Sequence, residues 1–78
     1  MTLHEELARA RKKLGASQEE MAAKVGVSQV SISSWESDDD ETRVSPRPSR
    51  LDDIARAYRL DSDLVWSLWR RAAKSRAA

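Results

Sequence analysis

The stretch that decides the fold is QEEMAAKVGVSQVSISSWES, residues 18–37 of a chain of 78 residues. Ser17 precedes it and forms a capping-box pattern with Glu20, in which each side chain satisfies a backbone N–H of a helix start. Gly26 can end a helix, because glycine adopts a positive φ at little cost, and Ser28 is a good N-cap for a following helix. The stretch therefore predicts two short helices joined by a tight turn.

Patterns outside this stretch predict three more helices and one long loop. An apolar face recurs at Leu3, Leu7, Ala10 and Leu14, which indicates a first helix over residues 2–14 that Gly15 ends. Residues 37–48 lack an apolar period and hold two prolines, which favour extended chain. Ser49 is expected to cap a fourth helix, and Asp61 a C-terminal helix over residues 61–75. The buried face of the fourth helix is expected to hold Leu51, Ile54, Ala55 and Tyr58.

The fifth helix has an unusually wide apolar side. At 100° per residue its apolar residues cover an arc of about 200°, whereas packing on one core needs a stripe of ~100° or somewhat more. Either the small core wraps this helix deeply, or the surplus forms a subunit interface. The candidate dimerisation residues are Leu64, Trp66, Trp69 and Ala73.

Composition excludes several classes of protein. The chain has no cysteine, one histidine (His4) and two glycines, so it predicts no disulfide, no metal site, no cofactor and no enzyme. No segment approaches the ~20 apolar residues of a membrane span, and the polar N-terminus predicts no signal peptide, which makes the cytoplasm and its nucleoid the expected location. The net charge of +1 hides a polarised chain, with four acidic residues at 38–41 and nine Lys or Arg against four Asp over 42–78.

Residues 18–37 resemble the helix-turn-helix of the phage lambda repressor and Cro-like (XRE-type) family, and the resemblance extends over about residues 3–66. The matching positions are Met21, Ala22, Val25, Gly26, Val27, Ile32 and Trp35. A bulky residue at 22 would push the two helices apart, and a β-carbon at 26 would strain the turn. The resemblance implies an all-α, five-helix, lambda-repressor-like fold of prokaryotic or phage origin, as a single domain over residues 1–78 with a helix-turn-helix core at 17–36 and an extended fifth helix.

The same resemblance implies DNA binding, with the second helix of the motif in the major groove. It makes Gln29, Val30 and Ser34, with Ser33 beside them, the expected base-contacting residues, and Gln18 a phosphate contact. Further expected contacts to the DNA backbone are Ser28, Ser31, Arg43 and Arg47. Arg11 and Glu36 occupy the places where family members form an ion pair that ties the recognition helix to helix 1.

The expected function is therefore that of a small, dimeric transcriptional repressor that reads a palindromic double-stranded operator. The alternative is a protein-interaction module, antitoxin-like or regulator-binding, in which DNA binding is secondary. The acidic run at 38–41 departs from the family pattern and leaves three interpretations open. It arches away from DNA, it lowers the affinity for DNA, or it binds a protein partner.

Overall fold

The computed structural model describes the backbone of residues 1–77 and the side chains of residues 1–73. In this part of the chain it contains five α-helices and no strand, which confirms the all-α, five-helix class. The helices are α1 (Leu3–Leu14), α2 (Gln18–Val25), α3 (Gln29–Glu36), α4 (Leu51–Tyr58) and α5 (Ser62–Ala77). A 3-10 turn, Pro48–Arg50, leads directly into α4.

Local hydrogen bonds set the geometry of α2 and α3. The Ser17 hydroxyl accepts from the Glu20 backbone N–H at 3.0 Å, and the Glu20 carboxylate accepts from the Ser17 N–H at 3.1 Å. Gly26 ends α2 with a φ of 87°, in the left-handed region. The Ser28 hydroxyl then accepts from the Ser31 N–H at 3.3 Å at the start of α3. Neighbouring residues alone thus specify where both helices begin and where the turn lies.

The core lies where all five helices meet. The largest fully buried side chains, each below 2% exposed, are Leu7, Met21, Ile32, Leu51, Ile54, Tyr58 and Val65. Val27, in the turn between α2 and α3, packs half-buried against this core, as its apolar side chain in a tight turn predicts. Every helix thus places at least one residue in a shared core, so the orientation of α3 depends on the other four.

The start of α4 differs from the expectation. Ser49 does not cap this helix, because it lies inside the 3-10 turn, and the residue that precedes α4 is Arg50, with φ −100° and ψ −9°. The Leu51 backbone N–H donates to the Pro48 carbonyl. Proline at the first position of the turn has a helical φ and no N–H to satisfy, so the chain enters the helix without a side-chain cap.

The end of α4 is held by a left-handed arginine. Arg59 has φ 53° and ψ 45°, and its backbone N–H donates to the Ala55 and Arg56 carbonyls. It stands where the lambda-repressor-like family usually has glycine. A side chain in this region brings its β-carbon close to the backbone, which costs roughly 1–2 kcal/mol.

Both tryptophans of α5 have partners within the chain. The Trp66 indole N–H donates to the Asp52 carboxylate at 2.9 Å, and the Trp69 indole N–H donates to the Pro46 carbonyl at 2.8 Å. The two rings meet edge to face, with centroids 6.1 Å apart, and pack half-buried against the core. The hydrogen bond from Trp66, followed by one from Ser62, holds the pKa of Asp52 below its ordinary value. The tryptophans therefore attach α5 to α4 and to the preceding loop.

The four candidate dimerisation residues do not form one surface. Leu64 and Ala73 are about two and a half helical turns apart and so lie on opposite sides of α5. Trp66 and Trp69 lie on the side of Ala73, whereas Leu64 is 41% exposed on the other. A partner that contacts Leu64 would therefore approach a different side of α5 from one that contacts Trp66, Trp69 and Ala73.

We predict that Arg59→Gly increases the free energy of unfolding by about 0.5–1 kcal/mol. Glycine removes the strain of the left-handed conformation, and its greater freedom in the unfolded chain offsets part of that gain. Chemical denaturation followed by circular dichroism measures the difference.

The matched control is Arg56→Gly, at a residue in the last turn of α4 whose side chain is exposed like that of Arg59. Arg56 is exposed and has helical backbone geometry, so the same replacement should lower stability by about 1 kcal/mol. Destabilisation of similar size in both variants would contradict the strain at position 59.

Candidate nucleic-acid interface

The outer side of α3 carries side chains that take no part in the core. Gln29, Val30 and Ser33 are exposed, and Ser34 is half-buried. Val30 is 74% exposed, although valine gains from burial and is a poor choice for a purely solvated helix face. Ile32 and Trp35 are buried on the opposite side of the helix. The first turn of α3 therefore presents an amide and an apolar side chain to whatever lies in front of it.

The start of α2 lies beside this face. Gln18 is the first residue of α2, and it lines a shallow groove of about 320 Å³ together with Ser33 and Ser34 of α3. The first backbone N–H groups of a helix lack partners within it, and together with the helix dipole they favour an anion. The groove thus brings the start of α2 next to the outer side of α3.

Two serines at the start of α3 are already engaged in capping. The Ser28 and Ser31 hydroxyl oxygens lie 3.2 Å apart, and Ser28 also accepts from the Ser31 backbone N–H. A hydroxyl has one donor and two acceptor positions, so this arrangement still leaves capacity for a further bond. Their first task is nevertheless to start the helix.

A buried carboxylate fixes the other end of α3. Glu36 is 7% exposed, and both its oxygens accept from Arg11 Nε, at 2.9 and 3.0 Å. The Tyr58 hydroxyl donates to Glu36 Oε2 at 2.8 Å, and Arg11 also donates to the Ala16 carbonyl at 3.0 Å. Burial, followed by the nearby Glu36 charge, raises the pKa of Tyr58 far above its ordinary value, which keeps its proton on the hydroxyl. This network joins α1, α3 and α4.

Sequence reasoning places Arg11 against Glu36 through the family resemblance, but it assigns Tyr58 only to the core. The helical pattern shows that Tyr58 lies on the buried face of its helix, but it does not show which group the hydroxyl contacts. The one available signal is that a buried hydroxyl needs a partner, and Glu36 is the acceptor that the fold brings to it.

The acidic run folds into a compact turn after α3. Ser37 and Thr42 join their hydroxyls at 2.7 Å, and the Arg43 backbone N–H donates to the Asp39 carbonyl at 2.9 Å. The Arg43 guanidinium pairs with the Asp40 carboxylate and donates to the Ser37 carbonyl at 3.2 Å. Arg43 therefore stabilises the turn itself, which competes with the role of phosphate clamp expected from the sequence. Arg47, by contrast, is exposed.

Asp38 is placed differently from the rest of the acidic run. It lines the groove that holds Gln18, Ser33 and Thr42, and its carboxylate side chain is 98% exposed. The His4 imidazole lies 3.9 Å away. At this residue the loop borders the groove that Ser33 and Ser34 of α3 also line.

The comparison with family models finds a match to the helix-turn-helix model over residues 7–65, which include α2, α3 and the buried Arg11–Glu36–Tyr58 network. The chain belongs to the helix-turn-helix family of DNA-binding regulators. The expected lambda-repressor/Cro-like family is thereby confirmed. Comparisons with curated proteins and with solved structures find no match.

Family membership gives the α2–α3 unit its general role in binding DNA. In this motif the second helix, here α3, enters the major groove and the first helix crosses the backbone. Between residues 1 and 77 no helix is long and apolar enough to cross a membrane. The described side chains contain no cluster of three or more His, Asp or Glu suited to a metal ion.

We predict that Tyr58→Phe lowers the free energy of unfolding by about 1–3 kcal/mol, because it leaves a buried carboxylate short of one donor. The loss should depend on pH. The folded protein holds the Tyr58 proton above the ordinary pKa of 10.0, so the wild-type advantage is complete below that pH and declines as the pH rises past it.

Urea denaturation of both proteins at pH 8 and pH 11 measures this difference. Because the other titrating groups are the same in both chains, their contributions cancel in the comparison. An equal wild-type advantage at the two pH values would contradict the buried, protonated hydroxyl.

Proposed function

We propose that this helix-turn-helix protein is a sequence-specific transcriptional regulator, a repressor that binds a palindromic operator as a homodimer and reads it with α3. The observation that carries the proposal is the first turn of α3, where Gln29 and the 74% exposed Val30 stand on a helix whose other end is anchored by buried Glu36. A rigidly held helix with an exposed, uncharged first turn suits base recognition better than general attraction to phosphate.

The side chains on this turn match defined base edges. A glutamine at position 29 can form two hydrogen bonds to adenine, at N6 and N7, and the methyl groups of Val30 can contact the thymine methyl. Ser33 and Ser34 offer single hydroxyl bonds and discriminate weakly between bases. An operator half-site with an A·T pair opposite the start of α3 is therefore expected.

Contacts to the DNA backbone would hold this helix in register. Gln18 and the first N–H groups of α2 are suited to one phosphate, and exposed Arg47 is a candidate for another. Ser28 and Ser31 can add hydroxyl bonds while they cap α3. Arg43 would have to leave Asp40 to serve as a clamp, so we assign it to the turn.

One copy of the motif makes few contacts, which favours a dimer on two half-sites. Leu64, in the first turn of α5, is the exposed large apolar residue on this helix. We place the dimer contact around it, because Trp66 and Trp69 already pack within the chain. Ala73, on the opposite side of α5, would stay outside this contact.

The second candidate function is a protein-interaction module that binds through the acidic loop 38–41. The observation in its favour is the exposure of these carboxylates, 98% for Asp38 and 87% for Asp40. A partner bound through these carboxylates would be positively charged, so its binding would weaken with salt as DNA binding does. The two functions therefore differ in whether the protein binds any duplex at low salt.

We predict that Gln29→Ala and Gln18→Ala weaken DNA binding in different ways. After an operator is selected from random duplexes, Gln29→Ala should lose about 1–3 kcal/mol of discrimination at one base position of each half-site. Gln18→Ala should weaken binding to all sequences by a similar factor, because a phosphate contact carries no sequence information.

Fluorescence anisotropy on a panel of single-base variants measures both effects. Unchanged discrimination by Gln29→Ala would contradict the assignment of this residue to a base. If the wild-type protein binds no duplex even at low salt, the regulator proposal itself is wrong and the acidic-loop partner takes its place.

We also predict that Leu64→Glu converts the protein from dimer to monomer in sedimentation experiments, with its helix content unchanged. A charge placed in an apolar contact is costly, whereas the same charge on an exposed monomer surface costs little. Leu14→Glu is the matched control, since Leu14 is 36% exposed at the end of α1 and should leave the mass unchanged. A monomer that forms only after loss of both tryptophans would place the interface on the opposite side of α5.

A further inference from the structure

Asp38 differs from the other acidic residues of the loop in its position relative to α2. It lines two neighbouring grooves, and Gln18 lines both of them as well. The first groove also holds Ser33 and Ser34, and the second holds Lys12 of α1. The carboxylate therefore borders the same grooves as Gln18, the residue that would contact a phosphate in the proposed function.

A carboxylate at this point would repel a phosphate of the DNA backbone. An ionised aspartate and a phosphate both accept hydrogen bonds and neither donates, so no direct bond can form between them. Contact with a base is disfavoured by position, because Gln29 and Val30 stand on the first turn of α3 whereas Asp38 follows its last turn. The side chain is 98% exposed, so a nearby phosphate would meet the full charge through solvent.

The positive charges around these grooves are largely engaged. Arg9 pairs with Glu6, and Arg11 pairs with Glu36. Lys12 is exposed on the same groove as Asp38, and it forms no ion pair with any of the described side chains. Glu5 also lines the second groove, but its carboxylate accepts from the Thr2 hydroxyl. Asp38, whose 98% exposed carboxylate side chain lies 3.9 Å from the His4 imidazole, can therefore offset part of the attraction that Lys12 exerts on a phosphate.

We propose that Asp38 is an affinity-limiting residue of the DNA interface, which weakens binding by repelling the phosphate that approaches Gln18 and acts independently of base sequence. This inference rests on the proposed function and adds a specific element to it. The backbone attraction of one subunit is kept low, so that lasting occupancy requires the base contacts of both subunits on an operator.

The test compares Asp38→Asn with Asp39→Asn in the full chain. The first replacement keeps the size of the side chain and removes its charge, whereas Asp39 lies in the same turn but outside both grooves. The Asp39 carboxylate also accepts from the Glu41 N–H at 2.9 Å, which asparagine can still do through its amide oxygen. Binding to the selected operator and to a random duplex is measured by fluorescence anisotropy at several salt concentrations.

Asp38→Asn should tighten binding to both duplexes by the same factor, about three- to tenfold at low salt, and the gain should shrink as salt screens the charge. Asp39→Asn should change either affinity by less than about twofold. Lys12→Gln should weaken binding to both duplexes, which checks that the groove lies against the backbone.

Three results would overturn the inference while leaving the proposed function intact. Loss of operator binding alone in Asp38→Asn would make Asp38 a base-contacting residue. Equal gains in the two asparagine variants would indicate a general effect of loop charge, and no gain in either would place the loop outside the interface. If the wild-type protein binds no duplex, the proposed function fails, and this inference fails with it.

Discussion

The structure depends on one buried carboxylate. Glu36 ends the recognition helix α3 inside the protein, where an unpaired charge would cost several kcal/mol. Arg11 donates to both carboxylate oxygens, and the Tyr58 hydroxyl donates to one of them as well. The charge is therefore held by donors from two other helices. Loss of either donor leaves the carboxylate buried and under-satisfied, which makes this network a strict constraint on how α1, α3 and α4 can be arranged.

This constraint explains how α3, a helix of eight residues, is held in one orientation. A free helix of this length is unstable in water, so α3 needs tertiary contacts to exist at all. Ile32 and Trp35 hold its inner side in the core, and Glu36 fixes its end against rotation about the helix axis. Gln29 and Val30, in the first turn, are exposed and take no part in the core, so in the proposed function they are available for recognition. The C-terminal end of α3 is thus anchored in the protein, and the proposed recognition belongs to its N-terminal end.

Features specified by neighbouring residues could be predicted from the sequence, and features specified across the chain could not. The capping box at Ser17 and the left-handed Gly26 need only local chemistry, and both appear as the pattern indicates. The Arg11–Glu36 pair, 25 residues apart, is expected only through family resemblance. The hydrogen bond from the Trp69 indole to the Pro46 carbonyl could not be predicted from neighbouring residues, because it depends on where the loop returns after α3. The wide apolar arc of α5 is therefore ambiguous in the sequence, since periodicity counts apolar residues and does not show what lies against them.

How strongly the charged side chains of this protein attract a phosphate depends on their pairing as well as on their number. The chain has fourteen Lys and Arg, but in its basic C-terminal half, residues 42–78, Arg43, Arg50 and Arg56 each have a carboxylate partner. A paired cation attracts phosphate weakly, because its partner repels the same phosphate at nearly the same distance. The electrostatic contribution to DNA binding is therefore smaller than the composition of the basic C-terminal half implies. In the proposed function, base contacts and a second subunit would then supply a larger share of the affinity, and the ratio of operator binding to non-specific binding would depend on the base contacts.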